Sequence, residues 1–197
     1  SFTEHAITTS ADGARSVYAA DMDGDGDMDL LSASQNDSKI AWYENDGSES
    51  FTEHVISTSA SQASSVYAAD MDGDGDIDVL SASSDDDKIA WYENDGSESF
   101  TEHIISTSAG ARSVHAADVD GDGDMDVLSA SVGDDKINWY ENDGSESFTE
   151  HVISTSADAA SSVYAVDVDA DGDMDVLSSS WSDDKIAWYE NDGSESF

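Results

Sequence analysis

Asp70-Met-Asp-Gly-Asp-Gly-Asp-Ile-Asp-Val-Leu80 carries an aspartate at every odd position from its first residue to its ninth, with glycines at the fourth and sixth. Near-copies run from Asp21 to Asp29, Asp118 to Asp126 and Asp167 to Asp175. A hard cation of calcium's size takes six to eight oxygens at about 2.3 to 2.6 Å. In a tight turn, alternate residues can aim the carboxylates of positions 1, 3 and 5 inward. The main-chain carbonyl of position 7 can add an oxygen, and the aspartate of position 9 can close the cage. Glycine at position 6 sits where the backbone bends most sharply and a Cβ is costly. An EF-hand requires a bidentate glutamate at position 12 and a helix on each side. Position 12 is instead Ser32, Ser81, Ser129 and Ser178, and the flanks read as strands, such as Ser16-Val-Tyr-Ala-Ala20. The pattern therefore predicts about four calcium ions, one per loop. The candidate ligands are Asp21, Asp23, Asp25, Asp27 and Asp29; Asp70, Asp72, Asp74, Asp76 and Asp78; Asp118, Asp120, Asp122, Asp124 and Asp126; and Asp167, Asp169, Asp171, Asp173 and Asp175.

Working outward from the loops, phenylalanines recur at Phe2, Phe51, Phe100, Phe148 and Phe197. Spacing of this length belongs to propeller blades and solenoid units, each too small to bury its own faces. The chain reads as one repeat domain, 1–197, with repeats 2–50, 51–99, 100–147 and 148–196. In the second of these, four runs read as strands: 51–58, 65–69, 77–83 and 88–93. They are separated by Ser/Ala/Gly, Asp/Gly and Ser/Asp stretches, and Asn94-Asp-Gly96 is an explicit turn signal. Apolar residues occupy both faces of these strands, as in Val66-Tyr67 and Trp91-Tyr92, so each sheet must be sandwiched between neighbours. The expected fold is all-β: tandem four-stranded antiparallel propeller-like blades, arranged as a closed ring, a multi-chain ring or an open blade array.

The run from Asp70 to Leu80, followed by Lys88-Ile-Ala-Trp-Tyr-Glu-Asn-Asp-Gly96 and Phe100, resembles the FG-GAP/VCBS repeat family. This is the repeat of integrin α-subunit propellers and of many bacterial surface proteins. The resemblance extends over the whole chain. It implies propeller-type blades with calcium held in a hairpin between two strands, the ligands mapping onto Asp21, Asp23, Asp25 and Asp29 and their equivalents. Two departures stand out: four units where family propellers have about seven blades, and Ala170 where the other loops carry Gly24, Gly73 and Gly121. If that position needs a positive φ, the fourth loop is strained.

Six basic residues against 46 acidic ones give a formal net charge of −40. Such a surface lacks the basic footprint that nucleic acids and anionic membranes require, and the sequence holds no apolar run that would insert into a membrane. Carboxylates about 4 Å apart repel by roughly 4 kcal/mol per pair at an effective dielectric near 20, so these loops need metal to be well ordered. Structural use of calcium favours an extracellular or cell-surface setting. The chain starts at Ser1 and stops at Phe197, one residue into another aromatic-anchored element, and so reads as part of something longer. Self-association or a longer array is expected, because unfinished blades expose strand edges. Catalysis finds no support, since every reactive residue type recurs at equivalent positions and none forms a unique constellation.

The calcium loops and the Asn-Asp-Gly turns are nearly invariant, whereas Gln35-Asn36, Ser84-Asp85, Val132-Gly133 and Trp181-Ser182 vary, as do the connections before each repeat's second strand. A glycan or protein ligand would be met on that variable side, with Trp181, Arg15 and Arg112 as candidate ligand-binding residues. The other reading has Trp181 capping a blade and each arginine paired with a nearby acid. A lectin-like propeller is the alternative to a structural or adhesive element, and a polysaccharide-active enzyme is a more distant one. The four Trp-Tyr pairs read as packing between blades. His5, His54, His103 and His151 each follow a glutamate whose side chain points to the opposite strand face, so these pairs do not make a metal site by themselves.

Overall fold

The structure, a computed structural model, describes residues 1–193, so Phe197 lies outside the described residues. The first sheet is antiparallel in the order β1 (Ala14–Ala20), β2 (Asp29–Ser34), β3 (Lys39–Asn45), β4 (Phe51–Ser57). The second repeats it with β5 (Ala63–Ala69), β6 (Asp78–Ser83), β7 (Lys88–Asn94) and β8 (Phe100–Ser106). The third uses β9 (Ala111–Ala117), β10 (Asp126–Ser131), β11 (Lys136–Asn142) and β12 (Phe148–Ser154). The fourth holds β13 (Ala160–Val166), β14 (Asp175–Ser180) and β15 (Lys185–Tyr189). No helix occurs among the described residues, and hence none long and apolar enough to cross a membrane.

The sheets are one strand out of phase with the repeat read from the phenylalanines. Phe51 lies opposite Asn45, so the Phe-initiated strand completes the preceding sheet. The reason is the turn: Asp46 N–H donates to Ser50 O at 3.1 Å and closes a hairpin, whereas the stretch from Ser57 to Ala63 carries the chain across to the next blade. The corresponding stretch Phe2 to Thr8 forms no strand in the structure, and Phe2 is fully exposed.

Three seams with the same composition hold the blades together. Leu31, Ala33, Ile40 and Trp42 of the first blade pack against Ala63, Val66, Val79 and Tyr92 of the second. Leu80, Ile89 and Trp91 then meet Val114, Val127 and Tyr140, and Leu128, Ile137 and Trp139 meet Val163 and Val176. Each blade thus has a tryptophan face and a valine face, which is why both sides of every strand are apolar. Burying one such large side chain contributes about 1.5 to 3 kcal/mol, so the seams, not the single blades, carry the stability.

The array is open; of the arrangements considered, a ring closed within one chain is ruled out. On the first blade's valine face Val17 is 73% exposed, where its counterpart Val66 is 3%. On the fourth blade's tryptophan face Ile186 is 79% exposed and Trp188 46%, where Ile137 and Trp139 are 0%. Four blades that each turn by a propeller-like increment cover only part of a circle, so the first and last faces never meet.

A ladder of rings runs along the innermost strands: Tyr18 to Tyr67 at 4.5 Å, Tyr67 to His115 at 4.6 Å and His115 to Tyr164 at 4.5 Å. Burial pushes the His115 imidazole down to about 4 from its ordinary 6.5. The unfolded chain takes up this proton near 6.5 while the folded chain resists until about 4, so the neutral ring's contribution is complete above 6.5 and lost as pH falls through 4. That loss amounts to about 3 kcal/mol. His115→Tyr, which restores the residue of the other blades, should therefore melt increasingly above the parent as pH falls from 6.5 to 4, by about 6 to 12 °C at the acid end. Parallel melting curves across that range would contradict this.

Candidate functional site

Each aspartate loop joins the inner strand of a blade to its second strand, and each folds through its own carboxylates. In the second loop, Asp70 Oδ1 accepts from Gly73 N–H at 2.8 Å and Oδ2 from Gly75 N–H at 3.1 Å. Asp72 Oδ1 accepts from Asp74 N–H at 3.0 Å, and Asp74 Oδ1 from Asp76 N–H at 2.8 Å. This winding brings the first- and third-position carboxylates together. The sixth-position glycines adopt φ of 95° to 105°. A Cβ there would touch nothing, so the requirement for glycine is conformational, not steric. At the fourth position Gly24, Gly73 and Gly121 have φ of 74° to 78°, and Ala170 is held at 66°. The strain expected in the fourth loop is present.

Carboxylate oxygens gather in all four loops. They come from Asp21, Asp23 and Asp29; Asp70, Asp72 and Asp78; Asp118, Asp120 and Asp122; and Asp167, Asp169 and Asp175, each set lying within 4.8 Å of one another. Two oxygens bound to one ion at about 2.4 Å can be no farther apart than roughly 4.8 Å, so the spacing fits calcium. The hardness of an all-carboxylate donor set fits as well, and Asp21 Oδ1 is shielded from solvent with no hydrogen-bond partner in the structure. Asp25, Asp74 and Asp171 stand outside the clusters, as does Asp126 in the third loop. The seventh-position residues Asp27, Asp76, Asp124 and Asp173 also join none. Their carboxylates lie against Gly47, Gly96, Gly144 and Gly193 of the Asn-Asp-Gly turns, leaving no room for a Cβ there.

The ninth-position aspartates do more than the sequence suggested. Asp78 is fully buried; its Oδ1 accepts from Asn94 N–H at 2.7 Å and its Oδ2 from Met71 N–H at 2.9 Å. It pins the start of its own loop to the end of the third strand, and Asp29, Asp126 and Asp175 repeat the arrangement. Burial pushes the Asp78 and Asp126 carboxyls up to about 6, against the opposing pull of these backbone donors and of the Trp91 and Trp139 indoles. For Asp175 burial also acts upward. With no blade packed behind it, however, the same hydrogen bonds prevail and its carboxyl lies below the ordinary value. Asp23, Asp72 and Asp120 are raised by burial, aided by repulsion from neighbouring loop carboxylates.

The asparagine of the Asn-Asp-Gly turn, read from sequence only as a turn former, proves to be a strut between loops. Asn142 is 1% exposed; its Nδ2 donates to Met125 O in its own blade at 3.1 Å and to Met71 O in the preceding blade's aspartate loop at 2.9 Å. Asn94 reaches Met22 O and Asn191 reaches Val119 O in the same way. The signal was the invariance of this asparagine among the copies.

On the opposite side, the variable segments pair with each other, Gln35 N–H donating to Gly13 O and Asn36 N–H to Asp12 O, both at 3.0 Å. Arg15, Arg112 and Trp181, from three different blades, line one concavity there. Trp181 is 78% exposed and does not cap its blade. The recurrent histidines serve the fold: His54, His103 and His151 stack on Trp42, Trp91 and Trp139 and bond to Glu44, Glu93 and Glu141 across the strand pair. His5 is exposed and outside any strand.

No similar sequence was found among curated proteins. Among solved structures, the fold is similar to that in the crystal structure of the V. cholerae biofilm matrix protein Bap1, with a TM-score of 0.52 and 23% identity over 83% of this chain. The match covers 23% of that protein, so the chain spans less than a quarter of its length, and the likeness is one of fold. The model of the FG-GAP-like repeat matches residues 21–81, 70–129 and 122–178, which together cover most of the chain. Aspartate loops at fixed places in successive four-stranded blades are what that repeat consists of here, and the chain belongs to the FG-GAP-like repeat family.

Proposed function

We propose that this chain is a non-catalytic, calcium-loaded structural element of an extracellular or cell-surface assembly, working in adhesion or as part of a filament or matrix. The observation that carries this reading is the wiring of the aspartate loops: one per blade, with an asparagine of the following blade tied to the loop before it across each of the three seams. Calcium, when bound, supplies the positive charge that offsets carboxylate repulsion within each loop. The aspartates at positions 1 and 3 would hold it, joined by that at 9 in the first, second and fourth loops and by that at 5 in the third, with the loop backbone keeping them in place. Extracellular calcium would keep such loops occupied, and a fold shared with a biofilm matrix protein suits that setting. Calcium titration of the metal-free chain should give four ions, the fourth loop binding most weakly. Ala170→Gly should tighten that site by about fivefold, because an L-residue at this φ costs about 1 kcal/mol. Binding of fewer than three ions would defeat the reading.

Assembly follows from the open faces. The exposed Ile186–Trp188 face and the exposed Val17 face are the two halves of a seam that already occurs three times within the chain. One copy's fourth blade therefore fits another's first, a head-to-tail contact that closes into a ring or extends as a filament. In sedimentation, the calcium-loaded chain should associate with rising concentration, and Ile186→Lys should hold it monomeric. A parent chain that stays monomeric at high concentration would refute the contact.

A further inference from the structure

We infer that the mouth of the array on the variable-loop side is a binding site for an acidic saccharide, a sugar ring carrying a carboxylate. The inference rests on the blade-array reading and adds a ligand class to it.

The chain has only six cations, and the structure divides them. Lys39, Lys88, Lys136 and Lys185 each lie within 3.4 Å of an aspartate two residues before them in the chain. Neither arginine has a carboxylate partner among the described residues. Arg15 donates from Nε to the neutral Gln35 Oε1, and among the described residues neither its terminal guanidinium nitrogens nor the Arg112 side chain has a hydrogen-bond or ion-pair partner. Both line a concavity of about 420 Å³ with Ser64, Ser161, Val132 and Trp181, and no carboxylate lines it. In a chain with 46 acidic residues, this hollow gathers both arginines and has no acid among its lining residues, so an anion meets less repulsion there than over the carboxylate-rich surface around it.

The backbone explains the convergence. Each inner strand carries a β-bulge near its start, and the unpaired residue is Arg15, Ser64, Arg112 or Ser161 in turn. A bulge at a rim re-aims its side chain, and here four equivalent bulges point four side chains into one space. Serine at this position bonds to backbone, Ser64 Oγ to Ala82 O and Ala111 O and Ser161 Oγ to Ser179 O, whereas the arginines bond to none. The fold is satisfied by serine, so arginine there answers to something else. Arginine forks match carboxylates in a bidentate manner, and an exposed indole offers a flat apolar surface to the C–H face of a sugar ring. The concavity is of the size of small-ligand sites. An acidic peptide segment would satisfy the arginines but has no use for the indole, which favours the saccharide.

The test is isothermal titration of the calcium-loaded chain with a tetrasaccharide of alternating glucuronate and N-acetylglucosamine. Its carboxyl-reduced counterpart and an oligo-glutamate peptide serve as comparisons. Arg15→Ser, Arg112→Ser and Trp181→Ser each install a residue that another blade already has, so their melting curves should match the parent's and separate lost binding from lost folding. Each arginine variant should weaken tetrasaccharide binding by about tenfold. Trp181→Ser should do so comparably, and carboxyl reduction should abolish the arginine dependence. The inference is overturned by absence of tetrasaccharide binding, by binding indifferent to both arginines, or by peptide binding that is tighter and unaffected by Trp181→Ser. None of these outcomes would alter the calcium titration or the chelation result, on which the structural reading stands separately.

Discussion

Chelation with EGTA should lower the melting temperature of this protein by about 20 °C or more, and should expand the chain at physiological temperature. Saturation at a hundred to a thousand times Kd stabilises a fold by about 2.7 to 4 kcal/mol per site, and a domain of this size melts about 2 to 4 °C lower per kcal/mol. Four clusters lose that contribution together. The buried Asp78 and Asp126 deepen the loss: with carboxyls pushed up to about 6, they are held ionised at neutral pH at a cost to the metal-free fold. Stability from these two groups is complete below the ordinary carboxylate value near 4 and lost as pH rises through 6. The chelated protein should therefore recover part of its melting temperature on mild acidification, and calcium should matter most at neutral pH and above. A melt unmoved by EGTA would remove calcium from the account of the fold.

Asn142→Ala should cost about 2 to 4 kcal/mol, a fall of about 5 to 15 °C, although the residue binds no metal. The substitution leaves Met71 O and Met125 O without this donor and Gly144 N–H without its acceptor, all at a seam. Asn45→Ala supplies the internal comparison. Its amide bonds only within the first blade, donating to Met28 O and accepting from Gly47 N–H, and the residue is partly exposed, so its loss should cost about half as much. Because the Asn142 strut joins the second and third loops, its removal should also make calcium binding at those loops less cooperative. Equal losses at 45 and 142, with unchanged calcium isotherms, would show the asparagines to be turn formers alone.

The aspartate loops were legible in the sequence because their pattern is local. Carboxylate alternation and the sixth-position glycine lie within nine residues and recur at a near-constant period, and Ala170, the one departure from glycine at the fourth position, has the positive φ that the pattern requires there. The all-β class and the packing role of Trp42, Trp91 and Trp139 were equally available, since apolar residues on both faces of a strand require a neighbour on each side. What the sequence left open depended on pairing partners far along the chain. The phase of the blades turned on which of two similar connections closes as a hairpin, and a repeating pattern alone cannot mark that origin.

The open ends, the asparagine struts and the arginine-lined hollow were decided only by tertiary structure. Trp139 and Trp188 stand in near-identical sequence, yet one is buried and the other 46% exposed, because burial here belongs to the neighbouring blade and not to the segment. Asn142 meets Met71 across a seam, 71 residues away in the chain. Arg15, Arg112 and Trp181 are scattered through the sequence and share a surface only because successive blades turn about a common axis and bring equivalent bulges together. The repeat by itself determines the unit and its aspartate loop, whereas the stacking of units determines which copies of the same residue are core, strut or surface.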